Sequence, residues 1–184
     1  MSKLTYGKGL PMNTLAYGLL SFLSFSPDSG YDLMLKIQSC WPAKHSQIYP
    51  LLSQMENDGY VRHVLVTQTD KPDKKVYSIT DTGRDALRAW LSVPANEPVT
   101  RDELTLKIFA MDQGNPADIK RQLELRVNYC RDRLHWLDRK IEIYSTKEPA
   151  PSRGMRLLMQ RGRFSIQSDL SWAEWALEQL QDES

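Results

Sequence analysis

Apolar residues in the first half of the chain recur at two different periods, and the change between them outlines a small domain. Leu15, Ala16, Leu19, Leu20 and Leu23 follow a 3.6-residue period behind Asn13, a favourable N-cap, and predict a first helix. Pro27-Asp28-Ser29-Gly30 reads as a turn, after which Leu33, Leu35 and Ile37 suggest a second helix ending near Trp41-Pro42. Ile48, Leu51, Leu52 and Met55 predict a third, with Ser46 or Gln47 at its start and Asp58-Gly59 as its stop. Pro50 then falls in or just after the first turn, where a missing N–H costs least. From Tyr60 the pattern becomes extended. Tyr60 to Thr69 is rich in Val, Leu and Thr, Lys75-Val-Tyr-Ser-Ile-Thr80 alternates, and the polar Asp70-Lys-Pro-Asp-Lys74 lies between them. That predicts a β-hairpin with a charged tip. Thr80 then caps a fourth helix carrying Leu87, Trp90 and Leu91.

The second half reads as helix throughout. Ser92-Val-Pro-Ala-Asn-Glu-Pro-Val-Thr100, with Pro94 and Pro98, is a linker, and the expected domains are residues 1–92 and 93–184. Thr100-Arg-Asp-Glu103 has the form of a capping box, opening a helix with Leu104, Ile108, Phe109 and Met111. Gly114 ends it, and Asn115-Pro116 starts a long helix with Asn as cap and Pro at the first position. On that helix Leu123, Val127, Cys130, Leu134, Leu137, Ile141 and Tyr144 alternate spacings of four and three, a heptad seam. A second apolar line, Tyr129, Trp136 and Ile143, runs seven apart on a neighbouring face. Two apolar faces need two partners. The last helix, roughly 155–180, offers one through Leu158, Ile166, Leu170, Ala173, Leu177 and Leu180. A second copy of the chain or further internal folding supplies the other, and the seam residues are the expected dimer contacts.

Composition narrows the field without deciding it. The 184 residues are 41% hydrophobic and 26% charged, the profile of an ordinary globular protein. Leu15 to Phe25, the longest apolar run, is far short of a membrane span, and Met1 to Gly9 lacks a secretory signal. Cys40 and Cys130 form no CxxC pair and read as free thiols of a reducing compartment, so a cytoplasmic protein is expected. His45, His63 and His135 match no metal-binding spacing. Gly7-Lys-Gly9 lacks the strand and further glycines of a phosphate loop, and there is no nucleophile elbow. An enzyme, a cofactor and a metal are therefore not expected.

The net charge of +1 argues at first against a nucleic-acid partner, but it averages unlike surfaces. Residues 1–92 hold ten Lys+Arg against eight Asp+Glu; residues 93–184 hold fourteen against fifteen. No acid lies between Asp32 and Glu56, whereas Lys36 and Lys44 do. Three helices followed by a hairpin form a winged helix-turn-helix, in which the third helix enters the DNA major groove and the hairpin reaches the backbone. The expected DNA contacts are Lys44, His45, Ser46, Gln47, Tyr49, Pro50 and Gln54 on that helix, with Lys71, Lys74 and Lys75 on the wing. The expected fold is mainly α: a winged helix followed by an all-helical dimerisation domain.

These blocks carry a family resemblance. Ala43-Lys-His-Ser-Gln-Ile-Tyr-Pro50, Asn57-Asp-Gly-Tyr60 and Lys74-Lys-Val-Tyr-Ser-Ile-Thr-Asp-Thr-Gly83 resemble the signature of the PadR family of bacterial transcriptional regulators. Leu15-Ala-Tyr-Gly-Leu-Leu20 and Ser29-Gly-Tyr-Asp-Leu33 fit the same pattern. Asp102-Glu-Leu-Thr-Leu-Lys107 and Trp172 resemble the longer members, which carry a C-terminal dimerisation domain. The resemblance implies a dimeric repressor on a palindromic operator in double-stranded DNA, with Ser46 to Pro50 in the recognition helix and Lys74-Lys75 in the wing. In the phenolic-acid-responsive group it further implies release by a small aromatic acid. Two other functions remain open: a coactivator working beside a partner regulator, and an interaction module that has lost DNA binding.

Overall fold

The computed structural model describes residues 12–38, 40–41, 43–67, 73–146, 148 and 150–182. The chain divides between Pro98 and Val99 into two compact units. In the first, α1 (Thr14–Leu23) starts at Asn13, whose side-chain oxygen accepts the Ala16 N–H at 2.9 Å. A two-residue strand, β1 (Asp28–Ser29), leads into α2 (Gly30–Ile37), and α3 (His45–Asn57) follows. The wing is β2 (Val61–Val66) and β3 (Lys74–Ile79), and α4 (Asp81–Leu91) closes the unit.

Ala16, Leu19, Leu20, Leu33, Ile48 and Leu52 are fully buried where α1, α2 and α3 meet, and Val61, Tyr77 and Ile79 bring the sheet onto the same core. Each such leucine, isoleucine or valine contributes about 1.5–3 kcal/mol by leaving water. Tyr17 stacks flat on Trp90, with ring centroids 5.1 Å apart, and so ties α4 to α1. Gly83 lets α4 start hard against the hairpin: a Cβ there would lie 2.2 Å from the Tyr60 carbonyl oxygen. The Thr80 hydroxyl completes the corner, accepting the Gly83 N–H at 3.1 Å while donating to Gly59 O at 2.6 Å.

Several local expectations need correction. Asp28–Ser29 is not only a turn: it pairs antiparallel with Tyr77 and Val76, making a three-stranded sheet of order β1-β3-β2. Leu33, Met34 and Ile37 form the buried face of α2 while Leu35 is exposed, because residues two apart on a helix point to different sides. That helix stops at Ile37, short of Trp41, and Pro42 lies outside the described residues. On α4, Leu87 is buried but Leu91 is exposed.

In the second unit, α5 (Glu103–Phe109) is followed by a 3-10 turn (Met111–Gln113), then α6 (Pro116–Ser145) and α7 (Arg153–Asp182). Asn115 caps α6 as expected, with Pro116 at its first position. The cap of α5 is Asp102 rather than Thr100; its carboxylate accepts the Leu104 N–H at 3.0 Å and also receives both guanidinium nitrogens of Arg126 from α6, at 2.7 and 2.9 Å. Phe109 is not a core residue but stands exposed.

Most of the expected dimer seam packs inside the chain, while Leu137, Ile141 and Tyr144 remain partly exposed. Val127, Cys130 and Leu134 are buried against Leu170 and Ala173 of α7, and Leu123 against Leu104 and Ile119. Leu137 approaches Gly162 of α7. Ile141 and Tyr144 line a cavity of about 90 Å³ with Pro151, Arg156 and Met159. An antiparallel α7 fits the seam because its own apolar residues recur at the same spacing. The second line stays outside: Tyr129, Trp136 and Ile143 are exposed.

Candidate nucleic-acid interface

The two faces of α3 have separate chemistry. Ile48, Leu52 and Met55 face the core, while Lys44, His45, Ser46, Gln47, Tyr49, Pro50, Ser53 and Gln54 are exposed. A stripe of amides and hydroxyls on a rigid helix is the chemistry that reads base edges in a major groove. The helix starts at His45, one residue before the expected start. Lys44 occupies the cap position but carries no acceptor, so Gln47 reaches back and its Oε1 accepts the Lys44 N–H at 2.8 Å. Pro50 is the sixth residue of α3, just past the first turn, and leaves the Ser46 carbonyl without its usual helical donor.

Tyr49, an expected contact residue, is held by its neighbours. Its ring packs on Gly30 of α2, where a Cβ would approach the Tyr49 ring to 2.8 Å, and His45 lies beside it with ring centroids 4.7 Å apart. A side chain at Gly30 would force the Tyr49 ring to move.

The two wing strands pair antiparallel, as expected of a hairpin, with Val66 opposite Lys74 and Leu65 opposite Lys75. Successive residues of a strand point to opposite faces, so Lys74 and Lys75 diverge. Lys75 is exposed. Lys74 is half-buried and its ammonium lies 3.4 Å from the Asp32 carboxylate of α2. Asp32 also accepts the Ser29 hydroxyl at 2.6 Å. That hydrogen bond, helped by Lys74, outweighs partial burial and holds its carboxyl below the usual carboxylate range. Lys71 lies outside the described residues.

Two side chains that the sequence did not single out hold this face together. Asp32 holds Lys74, and Glu56 accepts from His63 of β2. They are the acids that bound the acid-free span. The span itself was visible in the sequence; that its two ends fold back onto the wing was not, because Asp32 meets Lys74 from a distant element and Glu56 meets His63 only through the turn that folds β2 against α3.

Among the described residues no group of three or more His, Cys, Asp or Glu is gathered to hold a metal, and no helix is long and apolar enough to cross a membrane. Cys40 is exposed and Cys130 is buried, and burial raises the Cys130 thiol above its ordinary range.

Comparison with known proteins follows this division of the chain. The sequence profile of the "Transcriptional regulator PadR-like family" matches residues 19–89, and that of "Virulence activator alpha C-term" matches residues 100–181. A Mycobacterium tuberculosis protein named "Probable transcriptional regulator Rv1176c" is 30% identical, covering 91% of this chain and 98% of its own. The chain belongs to the PadR-like family of transcriptional regulators. The Bacillus subtilis negative transcriptional regulator PadR is 29% identical over 89% of this chain and 95% of its own. The crystal structure of PadR in complex with operator DNA superposes with a TM-score of 0.82 at 27% identity, covering 92% of this chain and 99% of that one. PadR has also been solved with p-coumaric acid. The Vibrio cholerae virulence activator AphA matches with a TM-score of 0.70 at 25% identity, over 93% of this chain and 100% of its own.

Proposed function

We propose that this PadR-like regulator is a cytoplasmic, non-enzymatic repressor that binds operator DNA as a dimer through its first unit. Lys44 and the α3 residues His45, Ser46, Gln47, Tyr49, Pro50 and Gln54 contact the major groove, and Lys71, Lys74 and Lys75 neutralise phosphates. The observation that carries this reading is the exposed polar face of α3 beside a lysine-bearing wing, in a chain that matches PadR, a negative regulator solved on its operator, over nearly its whole length. The second unit dimerises. Its seam is spent on α7, so the flank of Tyr129, Trp136 and Ile143 is the surface left for a second copy. A two-fold dimer presents two α3 helices, which calls for two half-sites about one helical turn apart.

A small aromatic acid of the hydroxycinnamate kind is the proposed effector, supported by the complex of PadR with p-coumaric acid. It acts by binding the DNA-free arrangement more tightly than the DNA-bound one. Mobility-shift titration of the promoter adjoining the protein's own gene tests both steps. Salt-sensitive binding reversed by p-coumaric acid is expected. No binding at low salt overturns the DNA reading, and binding that p-coumaric acid leaves unchanged overturns the effector. A second reading, coactivation beside a partner regulator, is favoured by the C-terminal match to the virulence-activator profile. Promoter output that falls when the gene is deleted selects it.

A further inference from the structure

We propose that Glu56 and His63 form a latch that sets the wing against α3, a positioning device for DNA binding that rests on the reading above. One carboxylate oxygen, Glu56 Oε1, takes two hydrogen bonds from a single residue. The His63 backbone N–H donates at 3.0 Å and the ring Nδ1 lies at 2.5 Å. Holding main chain and side chain at once fixes both the position of β2 and the rotation of the imidazole. Neither side chain is more than about a quarter exposed (24% and 28%), so water competes for the bond less than on an open surface.

The latch joins the elements that must meet DNA together. Glu56 sits in the last turn of α3, whose end is already closed by backbone bonds from Asp58 to Gln54 and from Gly59 to Glu56, so the carboxylate is not needed there. His63 pairs with Tyr77 across the hairpin, and their rings lie 5.7 Å apart, which carries the contact to β3. Two and three pairs further along the same ladder are Leu65–Lys75 and Val66–Lys74. A strand that swings at His63 moves both lysines. Asp32 behaves differently: its 3.4 Å contact to Lys74 is long and half-exposed, weak enough for a phosphate to displace. Glu56 fixes the wing, and Asp32 holds a lysine that can be released.

The test uses fluorescence anisotropy of the full-length protein on a labelled duplex carrying the promoter adjoining its own gene, measured across a salt series. Each phosphate neutralised adds about 0.9 to the log–log salt slope. Glu56→Ala should flatten the slope by about one to two units and weaken binding about tenfold, as wing phosphates are lost. His63→Ala, which keeps the backbone N–H bond to Glu56 and loses only the ring contact, should act in the same direction but less. Combining them should cost no more than Glu56→Ala alone, and Glu56→Gln, which keeps the acceptor oxygen, should recover most of the loss. In a Lys74→Ala, Lys75→Ala background, Glu56→Ala should add nothing. Circular dichroism at the assay temperature establishes that each variant is folded; if Glu56→Ala is not, His63→Ala carries the comparison. Folded variants with an unchanged slope, or an undiminished effect without the lysines, overturn the latch and leave only a stabilising contact. A wild-type protein that shows no salt-dependent binding overturns the DNA reading, and the latch's role with it.

Discussion

Gln47 and Lys44 are joined by a hydrogen bond from the Lys44 backbone N–H to the Gln47 side-chain oxygen, at 2.8 Å, so a residue suited to reading a base also closes the first turn of its own helix. Gln47→Ala removes both roles. Gln47→Glu separates them: its carboxylate still accepts the Lys44 N–H and suits a helix N-terminus, but it cannot donate to a base and it repels phosphate. We expect Gln47→Ala to lower both thermal stability, by about 0.5–1 kcal/mol, and operator affinity. Gln47→Glu should keep stability while weakening binding at least about tenfold. Melting curves and anisotropy on the same preparations check the separation.

Asp32 places a negative charge beside a wing lysine, 3.4 Å from Lys74. Asp32→Asn removes a competitor for that ammonium and a source of repulsion toward DNA. We expect affinity for a random-sequence duplex to rise a few-fold at low salt and the gain to vanish at high salt. The Ser29 hydroxyl first, and then Lys74, hold the Asp32 carboxyl below the usual range, so it stays ionised from pH 5 to 8 and the gain should be constant across that window. An affinity ratio that changes with pH there would contradict this.

The corner between wing and α4 depends on Gly83. A methyl group at that position would meet the Tyr60 carbonyl at 2.2 Å, a backbone atom with no rotamer to yield. Gly83→Ala should cost more than about 2 kcal/mol in urea unfolding, although alanine favours helix in isolation. A neutral outcome would show that the hairpin end can move.

The contrast between these sites explains what was legible in the sequence. Periodicity located α1, α3, α6 and α7, because Leu19, Leu20 and Leu23 or Leu123, Val127 and Cys130 must repeat with the turn they bury. Caps at Asn13, Thr80 and Asn115 were legible too, since a cap acts on its own neighbours. What escaped was made by distant partners. The cap of α5 is Asp102, which also pairs with Arg126 from a distant helix. Asp28–Ser29 became a strand only because Tyr77 and Val76 lay open beside it. The heptad seam announced a helical partner but not whose, and α7, whose Arg153 follows soon after Ser145 in the chain, was the nearer one.

Because the seam is internal, association should depend on the other flank of α6. Trp136 is exposed there, with the Arg133 guanidinium 4.3 Å from its ring centroid. Trp136→Ala combined with Ile143→Ala removes apolar surface without touching a buried residue. We expect sedimentation to show dissociation at micromolar concentration while helicity is retained. Leu134→Ala, by contrast, should cost about 2–4 kcal/mol of stability. A double variant that sediments as the wild type does would place the dimer contact elsewhere.

The Asp102–Arg126 pair gives the second unit a pH signature. Two guanidinium hydrogen bonds hold the Asp102 carboxyl below the usual carboxylate range, against the opposing effect of its partial burial. A carboxyl whose folded value is depressed stabilises fully above its unfolded value, about pH 4, and loses that contribution as pH falls through the lower folded value. Arg126→Met removes the partner and keeps much of the side-chain packing. At pH 7 it should cost about 1–2 kcal/mol, more than an exposed pair because both groups are only about a quarter exposed (23% and 29%) and the contact is bidentate. Asp102→Asn, which can still cap Leu104, should lose a similar amount. Below pH 4 the stability curves of wild type and both variants should converge. Urea midpoints measured from pH 7 down to pH 3 check this; a gap that stays constant to pH 3 would mean that the cap and packing, rather than the ion pair, carry the contribution.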